Sequence, residues 1–204
     1  MINGILYHVY GRGVNKINIF CDPYDYLFFE KLLIKYLTPN YLETKHIKGM
    51  EVQIPVNSVS DLVKLYAYCP MPNHFHLIIE NIKDNGIPLL MKRVLPVYVY
   101  YFNTKYNRQG PLIQGSYRAI PILSEQQLIT TGVYLHINPI KDKLVSHLNF
   151  YPYGSYRNYL NNTDTPWLHL NNTLVSKVNF KTLEKDIIFI EKLDASEKVS
   201  LGLL

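Results

Sequence analysis

Apolar and polar positions alternate clearly at the start of the chain. Residues Ile5 to Gly13, ILYHVYGRG, predict a β-strand that ends in a glycine-flanked turn. DPYDYLFFEKLLIKYL, Asp22 to Leu37, has helical spacing, with Asp22 as N-cap and Pro23 at the first helical position. Residues 38 to 61 are polar, hold two prolines and show little periodicity, so a long loop or irregular insertion is expected there. KLYAYCPM and HFHLIIE follow as two strand-like runs joined by a turn at Pro70 to Asn73. In the second run Phe75, Leu77 and Ile79 point one way, and His74, His76 and Ile78 the other. The first face is uniformly apolar and should pack under helices. The second carries the imidazoles and is expected to be at least partly open.

Pro88 to about Tyr106 predicts a helix that Pro96 should kink or break. A short strand near Tyr117 to Ile122 precedes SEQQLITTGVYLHINP, a helix whose Ser124 and Gln127 make a capping box. That helix should end near Asn138, because Pro139 disfavours helical geometry in the residue before it. The first six elements give the order βαββαβ. The expected fold is therefore an α+β, ferredoxin-like sheet with helices on one face, followed by a further helix. Residues 1–150 would form this domain, with 38–61 as its insertion. Residues 151–204 would be an extension packed on it or appended to it, with an amphipathic helix over Phe180 to Leu193.

Composition narrows the partners. Of the 204 residues, 48% are hydrophobic and 18% charged, a globular balance rather than a disordered one. Lys and Arg outnumber Asp and Glu by 21 to 16, and the net charge of +5 favours a polyanionic partner. The 18 tyrosines suit both core packing and stacking on unpaired bases. Cys21 and Cys69 imply no disulfide framework and fit a reducing, cytoplasmic setting. The N-terminal residues do not read as a signal peptide, and no apolar run approaches the ~20 residues of a membrane helix.

Two groups of residues carry candidate chemistry. His74 and His76 leave the same strand face roughly 6–7 Å apart, close enough for both imidazoles to reach one metal ion. In the last helix Ile129, Val133 and Ile137 form an apolar docking stripe beside a polar stripe of Thr130, Tyr134 and Asn138. A phenol and a carboxamide one turn apart can meet the same ion or phosphate. They can equally be a half-buried tyrosine and a capping asparagine. Arg12, Lys92, Arg93, Arg108, Arg118 and Arg157 are candidates for phosphate contacts, with Arg12 and Arg118 foremost. Tyr66 and Tyr68 could flank the His pair.

In order along the chain, YHVYGRG, YCPMPNHFHLII, QGSYRAIPI, YLHINPIK and YPYGSYRNYL closely resemble the REP-associated tyrosine transposases. These belong with the single-tyrosine transposases of small insertion sequences, the HUH enzymes, whose metal motif is His-hydrophobic-His. The resemblance runs from about Tyr7 to Tyr159, and PWL at Pro166 to Leu168 and FIEK at Phe189 to Lys192 extend it weakly. It places the metal pair on His74 and His76, the nucleophile on Tyr134 and a third, amide ligand on Asn138. The 38–61 insertion and Pro96 depart from the commoner pattern.

The resemblance implies a transposase that cuts and rejoins single-stranded DNA, at sequences containing a hairpin, through a 5′-phosphotyrosine. Mg²⁺ or Mn²⁺ would be the cofactor. Both monomers and homodimers fit that family. A replication initiator or relaxase of the same HUH class is the nearest alternative. A noncatalytic nucleic-acid-binding module on a ferredoxin-like sheet is the other, and such a module needs neither a nucleophile nor a metal.

Overall fold

A computed structural model describes residues 1–183 of the chain. Four strands, β1 (Ile5–Arg12), β4 (Val63–Met71), β5 (His74–Asn81) and β6 (Arg118–Ile122), form an antiparallel sheet in the order β4-β5-β1-β6. Helices α1 (Pro23–Leu37) and α2 (Gly86–Lys105) provide the crossovers, and α3 (Glu125–Lys141) follows the last strand. The expected βαββαβ sheet is present, with α1 and α2 on one face.

That face is built from the period-2 pattern. Tyr7, Val9 and Gly11 of β1 stand opposite Ile79, Leu77 and Phe75 of β5. Phe75 packs 5.3 Å from the Phe29 ring of α1, which meets Tyr98 of α2 edge-on at 5.3 Å. Gly11 leaves room for this packing, because a Cβ there would lie 2.7 Å from the Phe75 ring. Asp22 caps α1 as its sequence suggests, accepting from the backbone N–H groups of Tyr24 and Asp25. Asp25, fully buried, accepts from the Cys21 amide (2.8 Å) and the Tyr106 hydroxyl (2.8 Å), and pairs with Lys105 (2.7 Å). This fastens the start of α1 to the end of α2.

Three expectations need correction. Residues 38–61 are not an irregular loop: β2 (Leu42–Ile47) and β3 (Met50–Pro55) form a separate two-stranded ribbon. Its turn places Lys48 and Gly49 at φ 51° and 81°. Lysine in that left-handed position, rather than asparagine or aspartate, hides the hairpin from a reading of turn residues. Next, α2 runs unbroken through Pro96. The ring lies on the exposed side, where water can solvate the carbonyl it frees, while buried Val94 and Tyr98 hold the helix on either side. Finally, α3 continues past Pro139 to Lys141, and the Asn138 carbonyl still accepts from the Asp142 amide at 2.8 Å. Pro139 removes one donor, and the burial of Val133 to Asn138 outweighs that loss.

Beyond α3, the chain folds back through α4 (Tyr156–Asn161) and α5 (Asn172–Lys177). It is tied to β4 by Tyr151 Oη to Pro70 O (2.5 Å), Ser155 N to Tyr68 O (2.9 Å) and His169 N to Leu65 O (2.9 Å). Gly132 lets α5 approach α3, since a Cβ there would lie 2.6 Å from Leu174. The helix expected over Phe180 to Leu193 lies outside the described residues from 184 onward. Among the described residues no helix is long and apolar enough to cross a membrane.

Candidate active site

β5 carries His74 and His76 on the sheet face opposite α1. Across the ladders His74 stands beside Arg12 and Met71, and His76 beside Tyr10 and Cys69. The face is not open as expected: His74 and His76 are only 7% and 4% exposed. α3 lies over it, because its own apolar and small residues are sandwiched between the sheet and the returning C-terminal segment.

The two rings lie 4.8 Å apart at 85°. Nδ1 of His74 faces Asn73 Oδ1 at 2.5 Å, and Nδ1 of His76 faces His8 Nε2 at 2.8 Å. In each ring a neighbour therefore occupies Nδ1. His76 Nε2 is buried with no hydrogen-bond partner among the described residues. Burial is the first cause of the depressed pKa of both rings. The Arg12 and Lys141 charges add to it, His74 lowers His76 further, and His74 falls to about 4. Both imidazoles are neutral near neutral pH and can offer a lone pair.

α3 supplies the second arm. The Tyr134 ring lies 5.6 Å from His76 at 85°, and both Tyr134 and Asn138 are buried. Thr130, the third member of the polar stripe, donates instead to the Gln126 carbonyl at 2.9 Å. Burial, and then the Asp142 charge, push the Tyr134 phenol up to about 12, while the Asn138 side chain and Arg12 pull it down. Lys141 holds its ammonium 4.8 Å from the centre of the same ring. The Asn138 amide thus acts on the phenol electrostatically, although its Nδ2 has no partner that meets hydrogen-bond geometry.

These orphaned atoms test the fit of a cation. Among the described residues no three His, Cys, Asp or Glu side chains are placed to hold one ion together. Two imidazoles therefore need a donor of another kind. The Asn138 carboxamide can turn about its last torsion to present Oδ1. Buried polar groups left without a partner are costly, and a cation would satisfy them. The donor set of two neutral imidazoles and one amide fits a divalent metal that keeps waters in its remaining positions.

The cationic candidates separate by position. Arg12 and Arg118 flank this face, each opposite a site residue or its neighbour: Arg12 pairs with His74, and Arg118 with Tyr10. Lys92 and Arg93 ride on α2, across the sheet, and Arg93 donates to the Asn57 carbonyl. Arg108 donates to Asn103 (3.2 Å) and Pro111 (3.1 Å), and Arg157 to the Asn149 carbonyl (2.8 Å). Tyr68 does not flank the His pair. It stands opposite Leu77 and donates to Glu30 of α1, and a register shift between Leu65 and Ala67 puts Tyr66 in contact with Glu80 (2.7 Å). His8, Tyr10 and Lys141 are the neighbours that the sequence reading passed over. The alternation of His8, Tyr10 and Arg12 on β1 was the available signal.

No protein-family model matches the chain, and no curated protein matches it. Among solved structures it is similar to a REP-associated tyrosine transposase bound to a REP hairpin, with a TM-score of 0.54 and 13% identity. The match covers 83% of this chain and 88% of that one, and at such low identity what the two share is the fold.

Proposed function

We propose that this chain is a metal-dependent transposase-like enzyme that cuts and rejoins single-stranded DNA, with Tyr134 as the nucleophile. The observation that carries the proposal is the meeting of His74 and His76 from β5 with Tyr134 and Asn138 from α3, around buried polar atoms that lack partners. A noncatalytic binding module has no use for that arrangement. The fold shared with a transposase solved on a REP hairpin supports a hairpin-containing strand as the substrate.

Mg²⁺ or Mn²⁺ on His74, His76 and Asn138 would neutralise charge that builds on the nonbridging phosphate oxygens. The chain's own groups do the rest. Tyr134 Oη attacks phosphorus, and the bond from phosphorus to the 3′ oxygen breaks. The tyrosine's proton ends on that departing oxygen, and a 5′-phosphotyrosine forms. Attack by another strand's 3′-hydroxyl reverses the step, and the ester conserves the bond energy, so rejoining needs no ATP. Arg12 and Lys141 place positive charge beside the phenol and favour its ionised form as it attacks. Arg12 and Arg118 flank the path of the backbone.

The test is a labelled single-stranded hairpin substrate incubated with Mg²⁺ or Mn²⁺, then denatured. Wild type should give a protein–DNA adduct, and Tyr134→Phe should bind the strand equally well and give none. Tyr10, whose ring lies 6.1 Å from His76, is the control variant. An adduct that survives in Tyr134→Phe, or is lost in Tyr10→Phe alone, would overturn the assignment.

A further inference from the structure

His8 has no role in the chemistry above, yet it is fully buried on β1, beside the candidate metal pair. Its ring stacks on His76 at 5.0 Å and 24°, with Nε2 placed 2.8 Å from His76 Nδ1. The contrast with His74 is informative. His74 Nδ1 meets an amide oxygen, which can only accept, so the proton must sit on Nδ1 and the lone pair on Nε2. His76 instead meets a second imidazole, which can donate or accept. His76 alone therefore does not decide which of its nitrogens carries the proton.

The surroundings decide it. A proton on His76 Nε2 would leave a buried N–H without an acceptor, since that atom has no partner among the described residues. A proton on Nδ1 is received by His8 and aims the Nε2 lone pair into the site. We infer that His8 is a positioning residue: it accepts the Nδ1–H of His76 through Nε2 and holds His76 in the neutral form whose lone pair faces the site. A histidine side chain free in water prefers the opposite form, so the constraint is a real one. The purpose of this device rests on the metal-binding reading of His74, His76 and Asn138, whereas its geometry does not. Partners of this kind orient ligand imidazoles, and their loss typically weakens metal binding roughly 10–100-fold.

The experiment records long-range ¹H–¹⁵N correlations of the histidine rings in the metal-free protein, and separately titrates Mn²⁺ by its paramagnetic signal. Wild type should show His76 protonated at Nδ1. His8→Leu should move that proton to Nε2 and weaken Mn²⁺ binding by roughly 10–100-fold. His8→Gln, whose side-chain oxygen can accept in place of Nε2, should restore both. A wild-type His76 protonated at Nε2 overturns the inference without recourse to any variant. So does a His8→Leu protein with the wild-type proton position and Mn²⁺ affinity. A wild type that has the Nδ1 proton but binds no Mn²⁺ would refute the metal reading and still support the assignment of His8.

Discussion

His136 on α3 and His76 on β5 are both buried imidazoles, and they differ in what their nitrogens meet. His136 Nδ1 donates to the Gly132 carbonyl at 2.7 Å, and Nε2 accepts from the Ser155 hydroxyl at 2.9 Å. Both nitrogens are matched, so His136 is structural, joining α3 to the segment that returns over it. Burial lowers its pKa to about 4 from an ordinary 6.5. The unfolded chain therefore binds this proton first, and the native form's advantage is complete above pH 6.5 and lost as pH falls toward 4. Urea midpoints should drop over that window by up to about 1.4 kcal/mol per pH unit from this residue. His136→Gln, though less stable at pH 7.5, should lose less over the same window. Parallel curves for the two proteins would show that His136 titrates normally in the fold. The His74 and His76 pair was legible because period 2 is a local rule that two residues suffice to show. His8 was not, since its partnership depends on the β1–β5 register across nearly seventy residues.

Elements were legible where they bury a face and obscure where they do not. MEVQIP alternates apolar and polar residues but LETKHI does not, and nearly every residue of the ribbon is exposed, so no buried face marks it. The prolines of α2 and α3 misled for the opposite reason, because the buried residues that flank Pro96 and precede Pro139 along the helix outweigh one missing hydrogen bond. The ribbon begins and ends side by side, with Val56 N bonded to Tyr41 O at 2.9 Å. Replacing Leu42–Pro55 with a short Gly-Ser turn should therefore leave the fold intact. It would cost little beyond the half-buried Lys35–Glu43 pair, about 1 kcal/mol. A collapse in thermal stability would show that the ribbon supports the domain. Gly11→Ala tests the main sheet instead. The added methyl meets the Phe75 ring inside a packed aromatic cluster, and overpacking of this kind costs about 1–3 kcal/mol. The denaturant midpoint should fall accordingly, while Mn²⁺ affinity, set on the other sheet face, stays unchanged.

At the scale of the whole molecule, the sheet separates two surfaces. α1 and α2 cover one with a conventional core, and α3 seals the other over the imidazoles. Cationic candidates stand on both, Arg12 and Arg118 on one and Lys92 and Arg93 on the other, so charge alone does not say where DNA would lie. Salt dependence does. Affinity for a single strand should fall with salt at a log–log slope of about −0.7 for each phosphate neutralised. Arg12→Ala or Arg118→Ala should reduce the magnitude of the slope by about that amount, whereas Lys92→Ala, on α2, should leave it unchanged. Equal effects from all three would place the strand elsewhere on the surface. Efficient cutting of a perfect duplex, with no preference for unpaired DNA, would contradict a site sealed by α3 on this scale.

The order in which the sheet is assembled bears on how such an enzyme is made. β1 is made before the other strands of this sheet, yet its neighbours are β5 and β6, and Tyr134 follows His76 by roughly sixty residues. At about 5–20 residues per second, the ribosome presents the imidazole strand several seconds before Tyr134. On the proposed reading, a nascent chain, or one truncated before α3, would hold half a site and could not form a bond to DNA. The proposed activity would thereby be withheld until both arms of the site are made.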